Sequence, residues 1–337
     1  MKTIAGETVL KYLQDFPAHP SKTIARILTE REPVLFPDVE KARRIVRYYR
    51  GNSGAINRKH STKEHHRTNG TQRDSLELLP DPIVELDPWK VEPISFKNAL
   101  LLPDAHIPFH NKPGISIAVD YGRKRNVDCV ILTGDLMDFY ACSHFERDPR
   151  LRNLERELEC GKAFLEWLRD RFPKAQIIYL EGNHEERLWR WAWARCPELY
   201  GVRGVDGRAM VNLRGLMDCD EYGVRVVDGR RPLKAGTKLH ILHGHEYGPQ
   251  MQSPVNPARG LYMRAKANAI CGHHHQKSEH SEPSLDANVS CWSMGCLCGL
   301  HPAYAPLNKW STGFSTVEMD RADWSVENKK IINGSIV

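Results

Sequence analysis

The sequence predicts an α/β protein, with two sheets layered between helices and a small all-α module at its N-terminus. Two observations lead there. From about residue 94, short apolar runs alternate with amphipathic helical stretches and then give way to further strand-like runs, the order expected of parallel β-α-β units followed by later strands. Ahead of that point lie three helical segments and then a polar stretch with almost no apolar residues.

In the first part, Val9, Leu10 and Leu13, then Ile24, Ala25, Ile27 and Leu28, then Val39, Ala42, Ile45 and Val46 recur at helical spacing. Pro20-Ser21 and Pro37-Asp38 carry helix-start signals and Gly51 a stop signal, so residues 1–51 are expected to form a three-helix module. Its last helix, Asp38 to Arg50, carries Lys41, Arg43, Arg44, Arg47 and Arg50 beside Tyr48 and Tyr49. Residues 1–75 hold 15 Lys or Arg against 8 Asp or Glu, so the chain's net charge of +6 belongs to this end. A helix-turn-helix-like unit laying its last helix against nucleic acid fits, and so does a docking module with a solvated basic face. Residues 52–93 read as a flexible basic linker and an extended, proline-bearing lead-in without a central strand, in which His60, His65 and His66 are solvated.

Over 94–337 the pattern predicts strands at 99–102, 127–132 and 177–180, with helices over 115–125, 151–171 and 185–194. Later strands are expected at 224–227, 239–242, 269–271, 289–292 and 314–318. A hydrophobic fraction of 41% and the lack of an apolar run long enough for a bilayer point to an ordinary globular protein. The first residues lack a secretory pattern, so a cytoplasmic location is expected. Nine scattered cysteines without a Cys-x-x-Cys pair suggest buried free thiols. Cys296 and Cys298 would face one side of a strand and fill core.

Five polar motifs follow the apolar runs: Asp104-Ala-His106, Gly134-Asp135-Leu-Met-Asp138, Gly182-Asn183-His184-Glu185, His243-Gly-His245 and Gly272-His273-His274-His275. In open α/β sheets, loops at the carboxyl ends of strands converge, which would bring all five to one rim. Carboxylates mixed with imidazoles suit divalent cations of intermediate hardness such as Mn²⁺, Fe²⁺ or Zn²⁺. Two such ions can hold a phosphate and generate hydroxide near neutral pH, so no serine or cysteine nucleophile is needed.

This ordered set resembles the calcineurin-like metallophosphoesterase superfamily, over roughly residues 97 to 320. The resemblance implies a two-sheet metallophosphoesterase sandwich and a binuclear centre. Asp104, His106 and His275 are similar to the ligands of one metal, Asp135 to the bridge, and Asn183, His243 and His273 to the ligands of the other. It further implies that His184 assists the leaving group and that Asp138 orients it. Either His245 or His274 could substitute for its neighbour.

Where phosphoprotein phosphatases of that superfamily continue with Arg-Gly, this chain has Phe139-Tyr140, which disfavours protein phosphatase activity although Arg187 matches a later arginine. The recombination-repair nuclease branch shares the core motifs but carries Asp where Glu185 stands. The aromatic pair could stack on a base or simply pack, and most of the cluster Trp189, Trp191 and Trp193 is expected to pack. The basic module favours a phosphodiesterase acting on DNA or RNA. The alternatives are a phosphoesterase for cyclic nucleotides or nucleotide derivatives, and a nucleic-acid-binding adaptor with an inert catalytic domain. Loops over 196–220 and 247–260 would set the substrate.

Overall fold

The structure, a computed structural model, describes residues 3–51, 89–146, 148–204, 209–227, 230–251, 255–283, 288–321 and 323–337. Of the linker and lead-in expected over 52–93, residues 52–88, with the three histidines, lie outside the described residues. The chain divides into two compact units, residues 1–87 and 88–337.

The first unit holds α1 (Ile4–Asp15), α2 (Ser21–Arg31) and α3 (Val39–Tyr49). Thr3 caps α1 by accepting the Gly6 N–H, and Asp38 caps α3 by accepting those of Glu40 and Lys41. Each helix turns an apolar stripe inward. Val9, Ile24, Ala25, Leu28, Phe36, Ala42 and Val46 form the shared core.

The second unit is built from two sheets. Its elements are β1 (Glu92–Ile94), β2 (Asn98–Leu102), α4 (Lys112–Lys124), β3 (Cys129–Leu132), α5 (Leu154–Arg171), β4 (Gln176–Leu180), α6 (Asn183–Arg195) and β5 (Val224–Val227). Then come β6 (Leu233–Ala235), β7 (Leu239–Leu242), α7 (Pro257–Ala265), β8 (Asn268–Cys271), β9 (Ser278–Pro283), β10 (Asn288–Ser293), β11 (Gly313–Asp320), β12 (Asp323–Ile332) and β13 (Ser335–Ile336). One sheet runs β13-β12-β11-β2-β3-β4-β5 and the other β1-β6-β7-β8-β10-β9. Strands β2 to β5 are mutually parallel, and so are β7, β8 and β10.

Side-chain alternation explains the layering. Ala99, Leu101, Cys129, Ile131, Ile178 and Leu180 face the space between the sheets and meet Leu239, Ile241, Ile270 and Val317. Their neighbours Leu100, Leu102, Val130, Leu132, Ile177 and Tyr179 point the other way, onto Ile115 and Val119 of α4 and Leu165 and Leu168 of α5. With both faces covered, these strands read as unbroken apolar runs. On the outer side of the second sheet, Ala258 and Leu261 of α7 cover Leu242, Ala269, Cys271 and Cys291.

The described end of the lead-in forms a short edge strand, β1, where Pro93 is accommodated, and no central strand, as expected. Several expectations need correction. Helix α5 starts at Leu154, after a short turn at Pro149–Leu151. Part of the expected 247–260 loop is helix α7. Cys296 and Cys298 lie in no strand; each makes an isolated bridge, to Thr312 and His110. All nine cysteines are unpaired. Among the described residues no helix is long and apolar enough to cross a membrane.

Candidate metal centre

The parallel pairing of β2, β3 and β4 brings Asp104, Asp135 and Asn183 to one edge, and β7 with β8 delivers His243 and His273 from the other sheet. The chain turns sharply there. Asp104, His106, Asp135, His273 and His275 all have left-handed backbone, with φ of 46°, 49°, 52°, 65° and 55°. Non-glycine residues adopt this region at a cost, and such strain gathers at functional sites. The motif glycines make room for the ligands. A Cβ on Gly134 would lie 2.4 Å from His243 Nδ1, one on Gly182 2.3 Å from Asp135 Oδ1, and one on Gly272 2.4 Å from Asp104 Oδ2.

Two groups of side chains converge. In the first, His106 Nε2 lies 3.1 Å from His275 Nε2, which lies 3.3 Å from Asp104 Oδ1. In the second, His243 Nε2 lies 3.3 Å from Asp135 Oδ2 and 3.1 Å from Asn183 Oδ1. Asp135 Oδ2 is also 3.8 Å from His106 Nε2 and 3.9 Å from His184 Nε2, so it stands between them. Asp104 and His243 are fully buried and Asp135 almost so.

The residues fit divalent cations. Two ligands at about 2.1 Å from one ion, at right angles or tetrahedrally disposed, stand about 3.0 to 3.4 Å apart, which matches the closest donor separations in both groups. Three of the rings are also held from behind so that Nε2 faces inward. His243 Nδ1 donates to Thr133 O at 2.9 Å, His106 Nδ1 donates to Asp138 Oδ2 at 3.2 Å, and His275 Nδ1 meets Cys298 Sγ at 3.9 Å. Burial alone would raise Asp135, but His243, His184 and His106 outweigh it and hold the carboxyl well below its usual range. Burial would likewise lower His243, yet Asp135 prevails and pushes the ring up to about 10. Positive charge is thus favoured beside Asp135. His273 moves down, first through burial and then through His243.

His184 and Asp138 form a unit beside these groups. His184 Nδ1 donates to Asp138 O at 3.0 Å and lies 3.3 Å from its Oδ2. Arg187 donates to Asp138 O at 3.1 Å and reaches His184 Nε2 at 2.7 Å. Burial opposes ionisation of Asp138, but its bonds to His106 and His184 dominate and hold it far below the usual range.

The other histidines fall elsewhere. His245 Nε2 pairs with Glu186 Oε1 at 3.0 Å, and Glu186 also binds Arg190 and Arg230, so His245 is outside the donor groups. His274 packs against His273, and its Nε2 is a buried atom without a partner. Phe139 is core, whereas Tyr140 is half-buried against Phe109.

In the helical unit Lys41, Arg44 and Arg47 are exposed on α3. Arg43 reaches Glu40 at 3.4 Å. Arg50, expected among the nucleic-acid contacts, instead donates to Ser21 Oγ and to the carbonyls of Pro17 and His19, closing the loop between α1 and α2.

Three structural residues escaped the sequence reading. Glu185 accepts the N–H groups of Gly182 (2.7 Å) and Asp135 (2.9 Å) on one oxygen, and the Met137 N–H (3.0 Å) and Tyr179 O–H (2.6 Å) on the other. Its place three residues after Gly182, in the first turn of a helix, was the available signal, but it pointed only to that helix. Thr133 and Cys298 act from behind the rings, and no spacing announces them.

The fold and the donor groups together define an α/β two-sheet protein with a buried histidine–carboxylate cluster able to hold metal. No family model matches the chain. The Gene 54 protein of Mycobacterium phage L5 is 25% identical over 250 residues, covering 71% of this chain and 95% of that protein. The Gene 54 protein of Mycobacterium phage D29 is 24% identical over the same shares. Among solved structures, Vacuolar Protein Sorting 29 from Cryptosporidium parvum aligns with a TM-score of 0.38 at 14% identity, covering 72% of this chain and 95% of its own. Vps29 from Entamoeba histolytica complexed with zinc aligns with a TM-score of 0.37 at 13% identity, covering 71% and 96%.

Proposed function

We propose that this chain is a metal-dependent phosphoester hydrolase, with Asp135 among the residues that would hold two divalent cations, and that it cleaves phosphodiester bonds of DNA or RNA. The observation that carries this reading is the place of Asp135, within reach of His106 and His184 on one side and of His243 and His273 on the other. Asp104, His106 and His275 would hold one ion, and Asn183, His243 and His273 the other. Mn²⁺ suits this mixture of imidazole and oxygen donors, as would Fe²⁺ or Zn²⁺. When bound, such a pair supplies Lewis acidity toward phosphoryl oxygens and an activated water.

The chain's own groups do the rest. The Asp138 carbonyl accepts the Nδ1–H of His184 and fixes the ring; once Nε2 is protonated and Arg187 has moved off it, that nitrogen would pass a proton to a departing alkoxide. Arg187, touching both, would offer a cation to a nonbridging phosphoryl oxygen. The exposed Lys41, Arg44 and Arg47 support a polynucleotide substrate, since such charges strengthen binding to phosphates and make it salt dependent.

The test is hydrolysis with Mn²⁺ of labelled single-stranded and duplex DNA and RNA and of a small aryl phosphodiester. The intact chain is compared with Asp135→Asn and with a chain lacking residues 1–75. Polynucleotide cleavage that vanishes in Asp135→Asn is expected, with weaker polynucleotide binding but intact small-ester turnover in the shortened chain. Turnover of the small ester alone would replace the nuclease reading with a nucleotide-scale phosphoesterase. Inertness toward every substrate in a metal-loaded chain would leave an adaptor.

A further inference from the structure

Four aromatic side chains border the Asp104–His106–His275 side of the centre, and neither metal binding nor proton transfer uses them. Trp310 stands edge-on to the His275 ring with centroids 4.1 Å apart, and Tyr304 meets Trp310 at 6.3 Å. On neighbouring loops Phe109 meets Tyr140 at 5.4 Å. The two pairs are joined through the main chain, where the Gly299 N–H donates to Phe109 O at 3.0 Å.

These rings are not core. Tyr304 is 63% exposed and Phe109 39%. Nor is the loop over 299–310 held by its aromatic residues alone. The Asn308 amide donates to Leu300 O at 2.6 Å and Ala305 O at 2.8 Å, and its Oδ1 accepts the Trp310 N–H at 2.8 Å. Trp310 also lines a groove of about 450 Å³ shared with Pro113, Ile117, Leu300 and Lys330. Asn111, Thr312 and Asn333 also line it, and a lining of mixed polarity that includes a lysine suits a nucleotide, with its flat ring and anionic link.

We propose that Tyr140, Phe109, Trp310 and Tyr304 form a stacking platform for unpaired nucleobases on either side of the bound phosphodiester, making the substrate a single-stranded polynucleotide. The proposal rests on the phosphodiesterase reading and names the substrate of that same centre. In a closed duplex the base faces are covered by neighbouring bases, so side-chain rings can reach them only in unpaired strands. A mononucleotide would engage one pair of rings, whereas two pairs on separate loops offer successive sites. Base–aromatic stacking tolerates any sequence, because every base presents a π face.

The experiment compares binding of a labelled oligothymidylate with that of an abasic strand of equal length, by fluorescence anisotropy in EDTA, with the full chain. The abasic strand keeps the phosphates and removes the rings. The intact chain should prefer the thymidylate by about tenfold or more, in line with one or more stacked bases. Tyr304→Ala and Phe109→Ala should each remove several-fold of that preference while leaving abasic affinity and metal content unchanged. Equal affinity of the intact chain for both strands, or equal losses on both strands in the variants, would overturn the platform. Failure of the hydrolase reading looks different: base-dependent binding would persist in a chain that takes up no metal and cleaves nothing.

Discussion

Glu185→Gln tests how the centre is held. The carboxylate of Glu185 accepts four hydrogen bonds, two on each oxygen, from the loops that carry Asp135, Met137 and Gly182 and from Tyr179 beneath them. Glutamine keeps the shape but turns one oxygen into a donor. That nitrogen would face either the pair Asp135 N–H and Gly182 N–H or the pair Met137 N–H and Tyr179 O–H, and the two bonds on that side are lost. Hydrogen bonds to a charged acceptor contribute about 1.5 to 3 kcal/mol each, and Glu185 is fully buried, so the expected loss is about 3 to 6 kcal/mol. Against a typical total of about 5 to 15 kcal/mol this is a large share. Urea unfolding measures the stability, and metal analysis of the purified variant measures the consequence for the centre. We expect a strong drop in stability and reduced metal content, because the same bonds hold the turn at Asp135. A variant within about 1 kcal/mol of the parent and carrying its full metal would refute the reasoning, since four buried bonds could not then depend on this carboxylate.

Two further outcomes follow from the same geometry. His184→Ala should retain metal yet slow hydrolysis about 10²- to 10⁴-fold, the usual range for a lost acid, whereas loss of metal would make His184 a ligand. Glu157 is buried beneath the turn after Asp138, where it accepts the Tyr140 N–H at 3.0 Å, and burial raises it from 4.5 to about 7. The folded chain keeps a proton that the unfolded chain releases, so this stability is fully present below pH 4.5 and is lost as pH rises through 7. The loss amounts to about 3 kcal/mol, and Glu157→Gln should flatten that part of the profile. Parallel pH profiles of urea unfolding for parent and variant would exclude the effect.

What the sequence made visible depended on whether a residue's role was local. The central strands β2, β3 and β4 are apolar on both faces, and their turns carry unusual polar residues, so the strands and the loops that hold Asp104, Asp135 and Asn183 stood out. Strands such as β9, Ser-Glu-His-Ser-Glu-Pro, carry no apolar pattern; that edge strand exists because β10 offers it hydrogen bonds. Strand β12 alternates only weakly, and its partner β11 defines it. The same holds in the site. Cys298 meets His275 across 23 positions and Glu185 reaches Met137 across 48, contacts that no spacing rule contains. Arg50 looked like one more basic residue of a surface helix, until the fold brought the carbonyls of Pro17 and His19 to it.

The left-handed turns at Asp104, His106, Asp135, His273 and His275 separate the upkeep of the fold from the upkeep of the chemistry. At each of them glycine would relax the backbone, so the residues that equip the centre are ones the scaffold would sooner be without. In a lineage released from selection for activity, these five positions are where neutral drift should run fastest toward glycine or asparagine, leaving both sheets intact. On the hydrolase reading proposed above, a descendant could keep the architecture and lose the reaction through a few substitutions that relax these turns. Whether such a descendant could still hold metal would then be legible in the side chains at five positions before any assay is run.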